Sequence, residues 1–349
     1  MLLSKTLQAG IIGASGYTGV ELVRLLLGHP YVHIKALVAD SNANRPIADI
    51  YSHLRTAALP PLVTLADADI NRCDVVFCCL PHTTSQEVIK NLPAHVRVID
   101  LSADFRLEDP DVYEQWYGHT HQAPELQKTA VYGLSEFYAE EISASNLVAC
   151  PGCYPTSMLL PLAPLCKVGI IYPDDIIVDS KSGVTGAGRS AKVPNLFCEI
   201  NDNFKAYGIS NHRHTPEVEQ VLSQHYGKQV TINFTPHLVP MNRGILSTIY
   251  INLKNGSTLT DVRNVLAQYY EHKPFVTILP EGQLPSTRDV TGSNHCHIGL
   301  APGRSPGKVV LVSVIDNLIK GASGQAVQNM NIMFGFKEPT GLHHLPLFP

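Results

Sequence analysis

The stretch LQAGIIGASGYTGVELVRLLL, residues 7–27, decides the fold. Residues 7–12 form a short apolar run, Gly13, Gly16 and Gly19 punctuate a turn, and residues 20–27 carry a helical apolar pattern with Glu21 and Arg24 outward. Residues 32–38 read as a second strand, which makes a βαβ unit. Glycine lets backbone approach a diphosphate closely, and the N–H groups and positive dipole end of the following helix favour negative charge. The turn Gly13, Ala14, Ser15, Gly16, Tyr17, Thr18 and Gly19 is therefore a candidate dinucleotide cradle. Its spacing departs from the commoner GxGxxG, so a tight turn that serves only helix packing is the competing reading. The residues leave the cofactor type open. Asp40, at the end of the second strand, suits the ribose 2′-hydroxyl of NAD, whereas Ser41, Asn42 and Arg45 suit the 2′-phosphate of NADP.

Further apolar runs at 75–80, 96–101 and 147–150 extend the first unit into a mostly parallel sheet buried on both faces. Beyond Cys150 the pattern changes. A helix over 154–168 leads to a strand at 176–180 and then to a long glycine-rich and polar stretch. Two β-branched runs, 229–238 and 244–253, are joined by a turn at Pro240, Met241, Asn242 and Arg243, which predicts an antiparallel sheet. A helix over 259–270, a strand over 309–315 and a last helix over 321–330 follow. The last helix is expected to pack back on the first domain. The expected fold class is α/β: a Rossmann-type doubly wound parallel sheet with an inserted α+β domain carrying a mixed, largely antiparallel sheet. The expected bounds are 1–152 with 318–349 for the first domain and 153–317 for the insertion.

A chain of 349 residues can bury most of its apolar surface unaided, so no disulfide or metal staple is expected. With 44% hydrophobic and 16% charged residues the composition excludes a disordered protein. A net charge of -4 gives no broad basic footprint for nucleic acid or anionic membrane, so an anionic ligand must be held by a local cluster. No run reaches the ~18 apolar residues of a membrane span. The amino terminus does not read as a secretory signal, so a cytoplasmic protein is expected. Eight cysteines are too few for a disulfide scaffold, and Cys78 and Cys79 read as parts of a buried strand.

One cysteine asks for chemistry. In ACPGCYPTS, Cys153 follows a strand and a Pro-Gly turn and precedes a helix whose Pro155 suits the first turn. A helix amino terminus lowers a thiol pKa, and the thiolate is the nucleophile. A CPGC redox pair, half of a zinc site completed by His295, Cys296 and His297, and a merely buried cysteine are the competing readings. Downstream, His212, Arg213 and His214 precede another helix and suit an anionic ligand or a base for a nearby thiol. Arg189, at the end of SGVTGAGR, offers another anion contact unless that segment is a flexible loop. Arg106, in DLSADFRL, offers a further one, or else a structural ion pair with Asp104 or Glu108.

Taken together and in order, GASGYTG, DLSADFRL, PGCYPT, SGVTGAGR, HRHTPE and DNLIKGASGQAVQ resemble the signatures of the N-acetyl-γ-glutamyl-phosphate reductases, relatives of aspartate-semialdehyde dehydrogenase. The resemblance spans residues 13–336, and PGCYPT with HRHTPE marks this branch. It implies NADP(H) as cofactor, a small-molecule acyl phosphate as substrate and a homodimer or homotetramer. It places Cys153 as nucleophile and His212 as base, with His214 a close competitor. It also carries Ser182, Gly183 and Asn317 over to the cofactor and Arg106, Arg189, Arg213 and His214 to the substrate. No metal is implied. The segment ADSNANRP departs from the patterns expected at a 2′-phosphate, and the tail GLHHLPLFP matches no recognised motif.

Overall fold

A computed structural model describes residues 6–348. The chain divides into two compact units: the first runs to Pro151 and takes in Ala322–His343, and the second comprises Gly152–Gly321 and the residues from His344. The tail is placed by backbone bonding rather than by burial, since Leu345, Leu347 and Phe348 are exposed. The Leu347 N–H donates to Thr291 O at 2.8 Å, so the last residues group with the second unit, whereas the domain bounds read from sequence put them in the first.

The first unit carries seven strands: β1 (Leu7–Ile12), β2 (Val32–Val38), β3 (Leu62–Val63), β4 (Val75–Cys78), β5 (Arg97–Asp100), β6 (Val131–Tyr132) and β7 (Leu147–Ala149). They form one sheet in the order β3-β2-β1-β4-β5-β7-β6, and every pair is parallel. Parallel strands need crossovers and are covered on both faces, which is why β4 is buried at all four positions and carries no alternation. Strand order reverses between β1 and β4, and the glycine turn lies at the carboxyl end of β1, where ligands bind in such sheets. The Gly324–Met333 helix belongs to this unit and is bound by buried amides: Gln325 Nε2 and Asn329 Nδ2 donate to Gly133 O at 3.0 and 2.8 Å.

The second unit has β8 (Ile176–Gly183), β9 (Lys205–Ala206), β10 (Ile232–Val239), β11 (Ile245–Asn252), β12 (Val276–Ile278), β13 (Cys296–Pro302) and β14 (Lys308–Ile315). Their order is β12-β13-β14-β11-β8-β10-β9, mixed and largely antiparallel. One expectation needs correction. β10 and β11 are joined by the short connection 240–244 but are not neighbours, because β8 lies between them, parallel to β10 and antiparallel to β11. The connection passes over the end of β8: Val184 and Thr185 N–H groups donate to Met241 and Asn242 carbonyls at 2.9 and 3.3 Å. Periodicity shows that strands exist, and it is silent on which strand sits between two others.

The apolar Cys153–Val168 helix lies on the inner face of this sheet, buried on nearly every side. A chain of hydroxyls fixes it there, Ser157 Oγ lying 2.7 Å from Ser247 Oγ and Ser247 2.6 Å from Ser180 Oγ. The opposite face of the sheet is more open. Ile177 and Tyr250, partners in the β8–β11 register, are 40% and 43% exposed.

Candidate active site

In the first unit the glycine turn is built by close packing. Gly13 has φ +87°, and a Cβ there would lie 2.4 Å from Cys79 O, so any side chain is excluded. At Gly19 a Cβ would lie 2.4 Å from Gly13 O, which lets the Tyr17–Leu27 helix sit directly on the turn. Gly16 is the N-cap, so Tyr17, Thr18 and Gly19 present the first-turn N–H groups that a helix leaves without internal partners. Across from them, Tyr51 Oη donates to Ser15 O at 2.8 Å, and Asn42 Nδ2 donates to Ser15 Oγ at 3.2 Å and Ser41 Oγ at 3.1 Å. Arg45 donates in turn to Asn42 Oδ1. Asp40, the residue that would favour NAD, has one carboxylate oxygen taken by the Leu65 N–H at 2.9 Å. A cationic, hydroxyl-bearing rim beside a helix amino terminus suits a 2′-phosphate.

Arg106 is buried in the same unit, donating from Nε to Cys150 O at 2.7 Å and from Nη2 to Leu101 O at 3.1 Å. It ties the end of β7 to that of β5, which accounts for at least part of its guanidinium without a ligand. Beside it, Asp104 accepts from the Thr83 N–H, the Ser85 N–H and hydroxyl, and Tyr113 Oη, at 2.7 to 3.1 Å.

In the second unit Cys153 is the first residue of its helix, with Gly152 as N-cap, so its thiol stands in the positive end of the helix field. It is half-buried. The other cysteines of apolar interiors differ. Burial pushes the Cys73 thiol up to about 11 and those of Cys150 and Cys166 up to about 12, which keeps them protonated and inert. All eight cysteines are free thiols, and among the described residues no three His, Cys, Asp or Glu side chains gather as a metal site.

HRHTPE converges on Gly152, the residue before Cys153, from the start of the Thr215–Tyr226 helix. Glu217, buried, accepts the Gly152 N–H at 2.7 Å and so fixes the N-cap of the cysteine's helix. His214 lies on Gly152 itself: a Cβ there would be 2.5 Å from His214 Nε2. The His212 ring lies 4.9 Å from that of His214, inside a box formed by Tyr154, Tyr207 and Phe234. Burial, with Arg213 adding, lowers the His212 pKa to about 4, so this ring is neutral at pH 7. Its Nδ1 accepts the His214 N–H at 3.2 Å, which puts the proton of the neutral ring on Nε2. Tyr154 Oη donates to His237 O at 3.0 Å and accepts from Tyr207 Oη at 3.3 Å. Burial, with the nearby Cys153 charge adding, pushes the Tyr207 phenol up to about 12.

Other residues read from sequence have local explanations. A Cβ on Gly183 would lie 2.7 Å from Asn242 O, so the crossing loop requires that glycine, and Ser182 Oγ donates to Gly183 O at 3.0 Å. Asn317 Oδ1 accepts the Gly244 N–H at 2.8 Å, and its Nδ2 donates to Thr185 Oγ1 at 3.0 Å. Arg189 and Arg213 are exposed. The sequence gives no role to Glu217 or Tyr207, although Glu217 lies in the quoted HRHTPE motif and an acid there could have been assigned to a helix cap.

Two family models cover nearly all of the chain: the semialdehyde dehydrogenase NAD binding domain matches residues 8–145 and the semialdehyde dehydrogenase dimerisation domain residues 153–317. The N-acetyl-gamma-glutamyl-phosphate reductase of Rhodospirillum rubrum is 52% identical over 99% of this chain and 100% of its own length. The chain belongs to the N-acetyl-γ-glutamyl-phosphate reductase family. The reductase of Geobacter metallireducens, 53% identical over 98% of this chain and 100% of its own, gives the same assignment. Solved aspartate-semialdehyde dehydrogenases share the fold at lower identity. The Vibrio cholerae enzyme II aligns with TM-score 0.72 and 16% identity over 95% of this chain and 99% of its own, and the Candida albicans enzyme, solved with NADP, with TM-score 0.71 and 19% identity over the same shares. Both halves of the reductase family's fold are therefore present, the Rossmann-type unit and the α+β unit.

Proposed function

We propose that the chain reduces N-acetyl-L-glutamyl 5-phosphate to N-acetyl-L-glutamate 5-semialdehyde and phosphate, with NADPH, as a step of arginine biosynthesis. The observation that carries this reading is Cys153 at the first position of a buried helix, with His214 seated on the preceding glycine. His214 takes the thiol proton, and the helix field favours the thiolate. The sulfur attacks the acyl carbon, the carbon–oxygen bond to phosphate breaks, and a thioester joins the acyl group to Cys153. Arg189 and Arg213 supply exposed positive charge for the anionic leaving group. When bound, NADPH supplies the hydride that reduces the thioester. His212, neutral and carrying its proton on Nε2, donates a hydrogen bond to the oxyanion rather than acting as base, a role that differs from the one expected from sequence. Collapse breaks the carbon–sulfur bond, frees the aldehyde and returns the thiolate.

The reverse reaction tests this. With phosphate and NADP, N-acetylglutamate semialdehyde is expected to generate NADPH at least ~100-fold more efficiently than aspartate semialdehyde, a discrimination that needs only two or three well-placed polar contacts. Comparable rates would overturn the substrate assignment. Replacing NADP by NAD in the same assay tests the rim of Ser41, Asn42 and Arg45: a clear preference for NADP supports it, and equal rates remove it.

The assembly is proposed to be a homodimer formed on the open face of the second sheet, which the match to a dimerisation domain supports. Ile177 and Tyr250 lie on it as a cross-strand pair of β8 and β11. The double variant Ile177→Asp, Tyr250→Glu should sediment as a monomer, and a dimer of unchanged affinity would place the interface elsewhere. Among the described residues no helix is long and apolar enough to cross a membrane. The reaction is proposed to run in the cytoplasm, and enzyme recovered in the membrane pellet after lysis would refute that.

A further inference from the structure

The segment Ile319–Ser323 forms a π turn, a one-residue widening of the helical repeat that is uncommon and is often found at functional sites. Its wide bond runs from the Gly321 N–H to Asp316 O, five residues back, at 3.0 Å. The turn is pinned at its base by the buried Asp316 carboxylate, which accepts the Leu318, Ile319 and Gly292 N–H groups at 2.9, 3.2 and 2.8 Å and lies 3.5 Å from Arg243 Nη1. The residue it pushes forward is Gly321. A Cβ there would stand 2.8 Å from Cys153 Cβ, 3.2 Å from Cys153 Cα and 3.3 Å from Ile315 Cδ1. Nothing larger than hydrogen fits between the turn and the stem of the nucleophile.

We propose that Gly321, held forward by the π turn, is a positioning residue that fixes Cys153 Cβ and thereby the arc its sulfur can sweep. The inference rests on the reading of Cys153 as nucleophile. Its physical basis is that a bound carbonyl and an attacking atom must meet within a few tenths of an ångström, and a misplacement of ~1 Å costs on the order of 100-fold. A helix start alone is a loose support, because terminal turns fray. Backing by a second, rigidly anchored segment removes that freedom.

Gly321→Ala is expected to lower kcat about tenfold or more with KM for NADPH changed less than about twofold, because the substitution moves the sulfur and leaves the glycine turn untouched. The alkylation rate of Cys153 by iodoacetamide, followed by mass on its own peptide, should change with it. A stability cycle isolates the contact. Overpacking should lower Tm by about 5 °C in the otherwise native chain and by less than half of that in a Cys153→Gly background, where the Cβ it strikes is absent. An unchanged kcat, or an equal loss of Tm in both backgrounds, would overturn the proposal. If Gly321→Ala does not fold, the double variant decides: a folded double variant supports the contact, and an unfolded one overturns it. Failure of the nucleophile reading appears separately, as retained turnover in Cys153→Ser, and leaves the Tm cycle readable.

Discussion

Cys153→Ser is expected to reduce turnover by at least ~1,000-fold in both directions while NADPH binds with its native affinity. Serine keeps the size and the helix start, but at neutral pH its hydroxyl is almost wholly protonated, and an oxygen ester accepts hydride less readily than a thioester. In the proposed mechanism the helix field and His214 both favour the anion of the native thiol. The glycine turn belongs to the other unit and is untouched, so fluorescence titration with NADPH should not distinguish the variant from the parent. A variant that turns over at even a tenth of the native rate would remove Cys153 from the chemistry.

The second large effect separates the two histidines. His214→Asn is expected to slow both turnover and alkylation of Cys153 at pH 7 by on the order of 100-fold, the usual worth of a positioned base. His212→Asn should slow turnover and leave alkylation near the native rate, because the neutral His212 ring, with Nδ1 accepting a backbone N–H, holds a proton to give and cannot take one at Nε2 in that tautomer. The reverse pattern, with alkylation lost on changing His212 alone, would exchange the roles. Residues between these two rings and the helix start should show smaller effects. Glu217, for example, reaches the helix start through the Gly152 N–H and not through the thiol's proton.

Much of the fold and the site could be read from short segments. The boundaries of β1 and β2 follow from apolar runs closed by glycine and by polar residues, and the place of Cys153 follows from a strand, a Pro-Gly turn and an early proline. What could not be read was set by partners distant in sequence. The insertion of β8 between β10 and β11 depends on a loop crossing that only Gly183 permits. The glycines at 152 and 321 read as turn or helix punctuation, yet each is a space that distant neighbours close, the His214 ring in the first case and Cys153 with Ile315 in the second. The ordering of the histidines likewise required the environment. HRH looks symmetrical as a sequence, and burial in an aromatic box with a backbone donor on Nδ1 makes His212 unlike its neighbour.

The most direct measurement of the central claim is the covalent state of Cys153 during one turnover without reductant. Mixed with N-acetylglutamyl phosphate in the absence of NADPH, the enzyme is predicted to release a rapid burst of about one phosphate per active site and to carry the mass of one N-acetylglutamyl group on the peptide containing Cys153. The adduct should be discharged as semialdehyde when NADPH is added. A phosphate burst with no mass on that peptide, or a native burst in Cys153→Ser, would contradict the thioester and with it the assignment of this cysteine.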